Sequence, residues 1–162
     1  MQVKNQLSPE IETVLADAVH AELFASHLYK HVANQLQRLG YFGAQKFFLN
    51  ESQDELGHYQ RHVDYVNDRG GVVGLPALAD VTDTVASLRD ALELAYDTEL
   101  TLQENYAQWY GQVDVITQQH LLQFIELQRK SVGEYGDLLA RLDRVDGDAC
   151  GVLLIDQEMG KN

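Results

Sequence analysis

Helix breakers are nearly missing from this chain. Its 162 residues hold only two prolines, Pro9 and Pro76. Around them run long stretches in which seam residues recur alternately four and three positions apart. Proline removes a backbone donor and crowds the preceding turn, so its scarcity favours long helices. The four/three spacing lays one stripe along each helix, the pattern of an all-α bundle. The length suits one domain with a full core.

Ser8-Pro9-Glu10-Ile11 is a helix start, with serine as the cap and proline in the first turn. The first helix is expected over about 9–38, with Ile11, Leu15, Ala18, Glu22, Ala25, Tyr29, Val32 and Leu36 along its seam. The second, about 43–70, carries Ala44, Phe48, Glu51, Glu55, His58, His62 and Tyr65 and stops at Gly70-Gly71. The third, about 87–111, carries Leu88, Leu92, Ala95, Glu99, Leu102, Tyr106 and Trp109. The fourth, about 116–144, carries Leu121, Ile125, Gln128, Val132, Tyr135, Leu139 and Leu142, and Asp146-Gly147 closes it. A short fifth helix is expected over about 149–159.

Short connections between the first and second helices, and between the third and fourth, make each pair antiparallel. The segment 71–86 is different. Extended, roughly 16 residues reach about 50 Å, and a helix of roughly 27 residues is about 40 Å long. The segment is therefore long enough to run the length of the bundle, which would make two antiparallel hairpins joined by a long crossover. A surface loop in a plain up-and-down bundle fits the same length.

The seams contain polar residues where a core should be apolar. Glu22, Glu99 and Gln128 lie near the middle of the first, third and fourth helices. Glu55 and His58, three apart, share one face of the second. Singly, each could be a half-exposed side chain or a hydrogen-bonded core histidine. Four helices with the same anomaly at matching depth form one joint observation. Buried carboxylates repel one another and need a compensating cation. Carboxylate oxygens with few imidazoles suit iron or manganese better than zinc or copper(I). Glu51 and His62 lie about one turn either side of the proposed centre. They would line an approach route or occupy a wetter end of the bundle, and we read them as the wetter end. Tyr106 and Trp109 read as core. Tyr29 could bond a carboxylate, donate an electron or simply pack.

The formal net charge of −13 argues against a nucleic-acid partner. It can draw in cations or merely keep the protein soluble. A single cysteine, Cys150, leaves no internal disulfide and no cysteine-rich metal site. The polar stretch Met1 to Pro9 is unlike a signal peptide, and no apolar run could span a membrane, so a cytoplasmic location is expected.

At these residues the chain resembles the bacterial non-haem ferritins, and more distantly the animal heavy-chain ferritins. The pieces are Glu22-Leu23-Phe24-Ala25-Ser26-His27-Leu28-Tyr29, Asp54-Glu55-Leu56-Gly57-His58, Glu99, Gln128 and the tail Leu153-Leu154-Ile155-Asp156-Gln157-Glu158. Their order, spacing and total length carry the likeness over nearly the whole chain. The resemblance implies a ferritin-like four-helix bundle with a short C-terminal fifth helix. It implies a ferroxidase that oxidises Fe(II) with dioxygen or peroxide and stores the ferric product in a homo-oligomeric cage of 24 subunits. By that resemblance Glu22, Glu55 and His58 hold the first of two irons per subunit. Glu55 and Glu99 hold the second with Glu55 bridging, Gln128 faces the oxygen side, and Tyr29 stands beside the centre.

Departures from related patterns are specific. Glu126-Leu127-Gln128-Arg129 lacks the second Glu-x-x-His of bacterioferritins and rubrerythrins. Leu56 stands where bacterioferritins place a haem-ligating methionine, so no haem is expected. Lys130 and Ser131 replace acidic residues that hold a third iron in many bacterial ferritins. Glu51, Asp54 and Glu126 are the accessory candidates, and Asp114 is a candidate for iron entry.

Overall fold

In a computed structural model, residues 3–75 and 77–161 are described; Met1, Gln2, Pro76 and Asn162 lie outside them. Five helices follow in order: α1 Pro9–Leu39, α2 Phe42–Asp68, α3 Leu88–Tyr110, α4 Val115–Val145 and α5 Ala149–Met159. No strand occurs among the described residues.

Local chemistry sets the ends. The Ser8 hydroxyl accepts from the Ile11 amide at the start of α1. Gly40 closes α1 in the left-handed region at φ 88°, where a side chain would be strained. Ser87, Asp114 and Asp148 cap α3, α4 and α5 in the same way as Ser8. At α2 the capping position is Tyr41, whose side chain makes no cap bond. Its cap comes from elsewhere: buried Asp156, on α5, accepts from the Ala44 amide at 2.7 Å.

Cross-helix pairs give the topology. His58 and Ser52 on α2 reach Glu22 and Ser26 on α1, so these helices are antiparallel. Tyr106 and Glu99 on α3 pair with Glu22 and Tyr29 on α1, again antiparallel. α2 and α3 are therefore parallel, and the connection between them must cross the bundle. It does so along α1. Val72 and Val73 lie beside Pro9 and Glu12, Leu78 to Val81 lie beside His27 to Asn34, and Gln35 bonds the Asp83 carbonyl and the Val85 amide.

Every seam position named for α1 and α3 is buried. On α4 the seam is shifted at two places, and Val132 is half-buried. Phe124 and Leu138 are buried, whereas Ile125 and Leu139 are half-buried. A 3.6-residue period leaves i+3 and i+4 equally plausible until a partner helix fixes the rotation. The main core joins all five helices, and a smaller cluster of Leu7, Ile11, Leu15 and Val66 closes the end where α1 begins.

Candidate metal centre

The expected polar residues come together at mid-bundle. One ligand atom each from Glu22, Glu55 and His58 lies within 4.8 Å of the others. His58 Nδ1 is 3.0 Å from Glu55 Oε2 and 3.5 Å from Glu22 Oε2. The i,i+3 spacing puts Glu55 and His58 over one another on α2, and antiparallel packing brings Glu22 opposite. Glu99 enters from α3, with Tyr29 donating to its Oε1. Glu22, Glu99 and Gln128 are each at most 1% exposed.

Satisfaction of these groups is lopsided. Among the described residues, Glu22 Oε2, Glu99 Oε2 and Gln128 Oε1 are buried without a hydrogen-bond partner. All three are acceptors. Buried acceptors without donors are costly, and a bound cation would satisfy them. The donor set therefore fits a hard or borderline divalent metal.

Electrostatics point the same way. Burial pushes the Glu99 carboxyl up to about 8, with Tyr29's hydrogen bond opposing and Glu22's charge assisting. Burial also raises Glu55 well above the usual range, assisted by its contact with Glu22. Burial works to raise Glu22 too, but polar contact with Glu55 and His58 and the nearby imidazoles outweigh it and hold Glu22 at about 2. Metal-free, the cluster keeps protons that a metal would displace.

The flanking residues correct one sequence expectation and extend another. His62 is not at a wetter end but fully buried, its Nε2 2.7 Å from the Tyr106 hydroxyl. Tyr106 is in the core, yet it is more than packing, because its hydroxyl donates to Glu22 Oε1. The reason is tertiary register. Antiparallel α1 and α3 set residue 106 opposite residue 22, which neither helix encodes alone. Glu51 is half-buried and accepts from Tyr135 at 3.0 Å. Burial raises it to about 7; the Tyr135 bond opposes this, while Glu134 and Asp54 add to it.

Other candidates do not join the cluster. Asp54 and Glu126 are exposed, and Glu126 is tied to Arg129. Asp114 caps α4 and pairs with Arg69 at 2.9 Å, which holds it down at about 2. Sequence reasoning also missed His120, whose Nε2 lies 2.9 Å from His62 Nδ1. It lies eight residues before Gln128, about two turns, and that spacing was the available signal.

The fold and the site define a four-helix bundle with a carboxylate-and-imidazole cluster in its core that could hold a metal. Residues 12–145 match the model of the family described as Ferritin-like domain. The chain is 30% identical to a ferritin of Pacifastacus leniusculus, over 87% of this chain and 82% of that one. It is 26% identical to a bacterial non-heme ferritin of Staphylococcus aureus, over 95% of each chain. Among solved structures it resembles an open-pore ferritin of Archaeoglobus fulgidus, with a TM-score of 0.93 at 22% identity, over 98% of this chain and 99% of that one. The chain belongs to the ferritin-like domain family.

Proposed function

We propose that the chain is an iron-storage ferritin subunit with ferroxidase activity, working in the cytoplasm as part of a 24-subunit cage. The observation that carries this reading is the convergence of Glu22, Glu55 and His58 in a buried core rich in acceptors without donors. Such a site attracts Fe(II) from a strongly acidic protein, whose net charge is −13.

In this reading Fe(II) is the substrate. Glu22, Glu55 and His58 hold one ion, and Glu55 and Glu99 hold a second, with Glu55 shared. Gln128 presents its amide to the oxygen side. Tyr29 fixes the Glu99 carboxylate through its hydroxyl. The protein supplies geometry and charge compensation, while the ions carry the electrons. Ferric product then moves to a common cavity. The exposed apolar residues Phe42, Val115, Ile116, Leu122, Leu153 and Leu154 suit contacts between subunits.

The test is anaerobic loading of metal-free protein with Fe(II), then admission of air in a stopped-flow instrument. A fast ferric absorbance phase that saturates near two irons per chain is the expected result. Absorbance rising no faster than without protein would refute the ferroxidase assignment and favour a structural cage subunit. Peroxide consumption without mineral formation would favour a diiron or dimanganese oxidase. Particle mass measures the assembly.

A further inference from the structure

A line of hydrogen bonds leaves the carboxylate cluster and reaches the protein surface through three helices. The Tyr106 hydroxyl donates to Glu22 Oε1. His62 Nε2 lies 2.7 Å from that same hydroxyl oxygen. His62 Nδ1 lies 2.9 Å from His120 Nε2. Tyr106 and His62 have no exposed surface, whereas His120 is partly exposed.

The hydrogens can be placed from the network. Tyr106 has one hydroxyl hydrogen, and it goes to Glu22. His62 Nε2 must then donate to the Tyr106 oxygen. A neutral imidazole has one N–H, so His62 Nδ1 is bare and accepts from His120 Nε2–H. Every hydrogen in the line points inward. One concerted step moves each hydrogen one place toward Glu22, and a solvent proton replaces the one leaving His120. The line then points outward. The reverse step carries a proton from Glu22 to solvent and leaves the line pointing inward, and rotation of the Tyr106 hydroxyl with turnover of the two imidazoles restores the outward direction, so that net protons leave.

Both imidazoles lie against aromatic rings. His62 stacks on Phe124 with centroids 4.0 Å apart, and His120 stacks on Tyr65 at 4.0 Å. Leucine at position 62 would fill a bundle seam without burying two polar ring nitrogens. The charged and titratable groups facing His62 are Glu22 from α1, His58 and Arg61 from α2, Tyr106 from α3 and His120 from α4. Burial, Arg61 and the neighbouring imidazoles keep His62 neutral, lowering it to about 3 against the pull of Glu22, and burial with Arg61 lowers His120 to about 4. Neither imidazole traps the proton it passes.

We propose that Tyr106, His62 and His120 form a proton relay between the buried iron site and solvent. The inference rests on the ferroxidase reading, because that reaction creates the proton traffic. Two Fe(II) ions give two electrons to dioxygen, which leaves as hydrogen peroxide with two protons from water. Four waters are consumed, supplying the oxygen of two FeO(OH) units, and four protons remain for solvent. These protons arise in a core with little water, and the relay gives them a path. Tyr106, His62 and His120 act through Glu22 and position protons; they do not hold iron.

The experiment uses the intact assembled protein in weak buffer, with a pH-indicator dye and ferric absorbance recorded together by stopped flow. Wild-type protein should release protons in step with ferric formation. In His62→Leu the proton signal should lag by roughly tenfold or more, with anaerobic Fe(II) binding stoichiometry unchanged. His120→Ala should show the same lag, and added imidazole should restore the rate in a saturable way. A merely structural role would not respond to imidazole, and this second variant carries the test if His62→Leu fails to fold. Fast oxidation in both variants with proton traces superimposed on wild type would overturn the relay alone. Absence of any fast ferric phase in the wild type would overturn the ferroxidase reading and the relay with it.

Discussion

Ser26 on α1 and Ser52 on α2 bond each other's backbone reciprocally. The Ser26 hydroxyl donates to the Ser52 carbonyl at 2.7 Å, and the Ser52 hydroxyl donates to the Ser26 carbonyl at 2.8 Å. Both are buried. The pair sits one turn from Glu22 and less than one turn from Glu55, so it fixes the register that brings those carboxylates together. Replacing both serines by alanine removes two buried hydrogen bonds at about 1 kcal/mol each. For a chain of this size the melting temperature should drop by roughly 4–8 °C, with weaker anaerobic Fe(II) binding. A melting curve and a binding isotherm matching wild type would contradict this role.

Glu22→Ala and His58→Ala should each slow ferric formation by roughly tenfold or more, the scale of ligand loss at a metal site. Neither should unfold the bundle, because removing a buried carboxylate or a half-buried imidazole relieves desolvation as it removes contacts. Stopped-flow absorbance and far-ultraviolet circular dichroism test both halves. Unchanged rates in both variants would remove these residues from the site.

Metal-free protein should lose stability as pH rises through the range where Glu99 ionises. Glu99 titrates at about 8 when folded and near 4.5 when unfolded. Between those values the native state binds the extra proton, so stability falls with rising pH and levels off above about 8. Glu51, raised to about 7, acts in the same direction. His62 and His120 act oppositely, because their depressed values stabilise the fold only as pH rises toward 6.5. Above about pH 7 their contribution is complete, and the carboxylates alone set the slope. Calorimetry from pH 7 to 9 should show a falling melting temperature that Glu99→Gln flattens. A wild-type curve already flat there would contradict the assignment.

Asp156→Ala should fray the start of α2. The lost cap costs about 1 kcal/mol, and amide exchange should accelerate at Ala44 while the middle of α2 stays protected. Gly43→Ala should act at the same joint from the other side. A Cβ there would lie 1.8 Å from the Asp156 carbonyl oxygen, so α5 must move away. Unaltered exchange in both variants would show that α5 does not hold this end.

Much of this architecture could be read from spacing. On α1 and α3 the four/three pattern names the buried stripe residue by residue, and the Glu55–His58 pair follows from helical geometry. The length of segment 71–86 permits the crossover, but only cross-helix pairs show that α2 and α3 run parallel. On α4 the stripe slipped from Ile125 to Phe124, because adjacent apolar residues make the rotation ambiguous. The Tyr106–His62–His120 line was illegible for a different reason. Tyr106 reads locally as core, His62 as seam and His120 as neither, and what each meets depends on which hydroxyl or ring nitrogen faces it across the bundle. Asp156 as the cap of α2 is another such case, its partner lying 112 positions away in the chain.

That separation has a consequence in time. A ribosome adding about 5–20 residues per second needs roughly 6–22 s to travel from Ala44 to Asp156. Throughout that interval the first turn of α2 lacks its anchor. Glu22, Glu55 and His58 meanwhile wait for α3, which ends at Tyr110, and α4, which ends at Val145, to enclose them. A nascent chain therefore presents scattered, hydrated carboxylates instead of a closed site, and the cluster closes only after synthesis has passed the bundle.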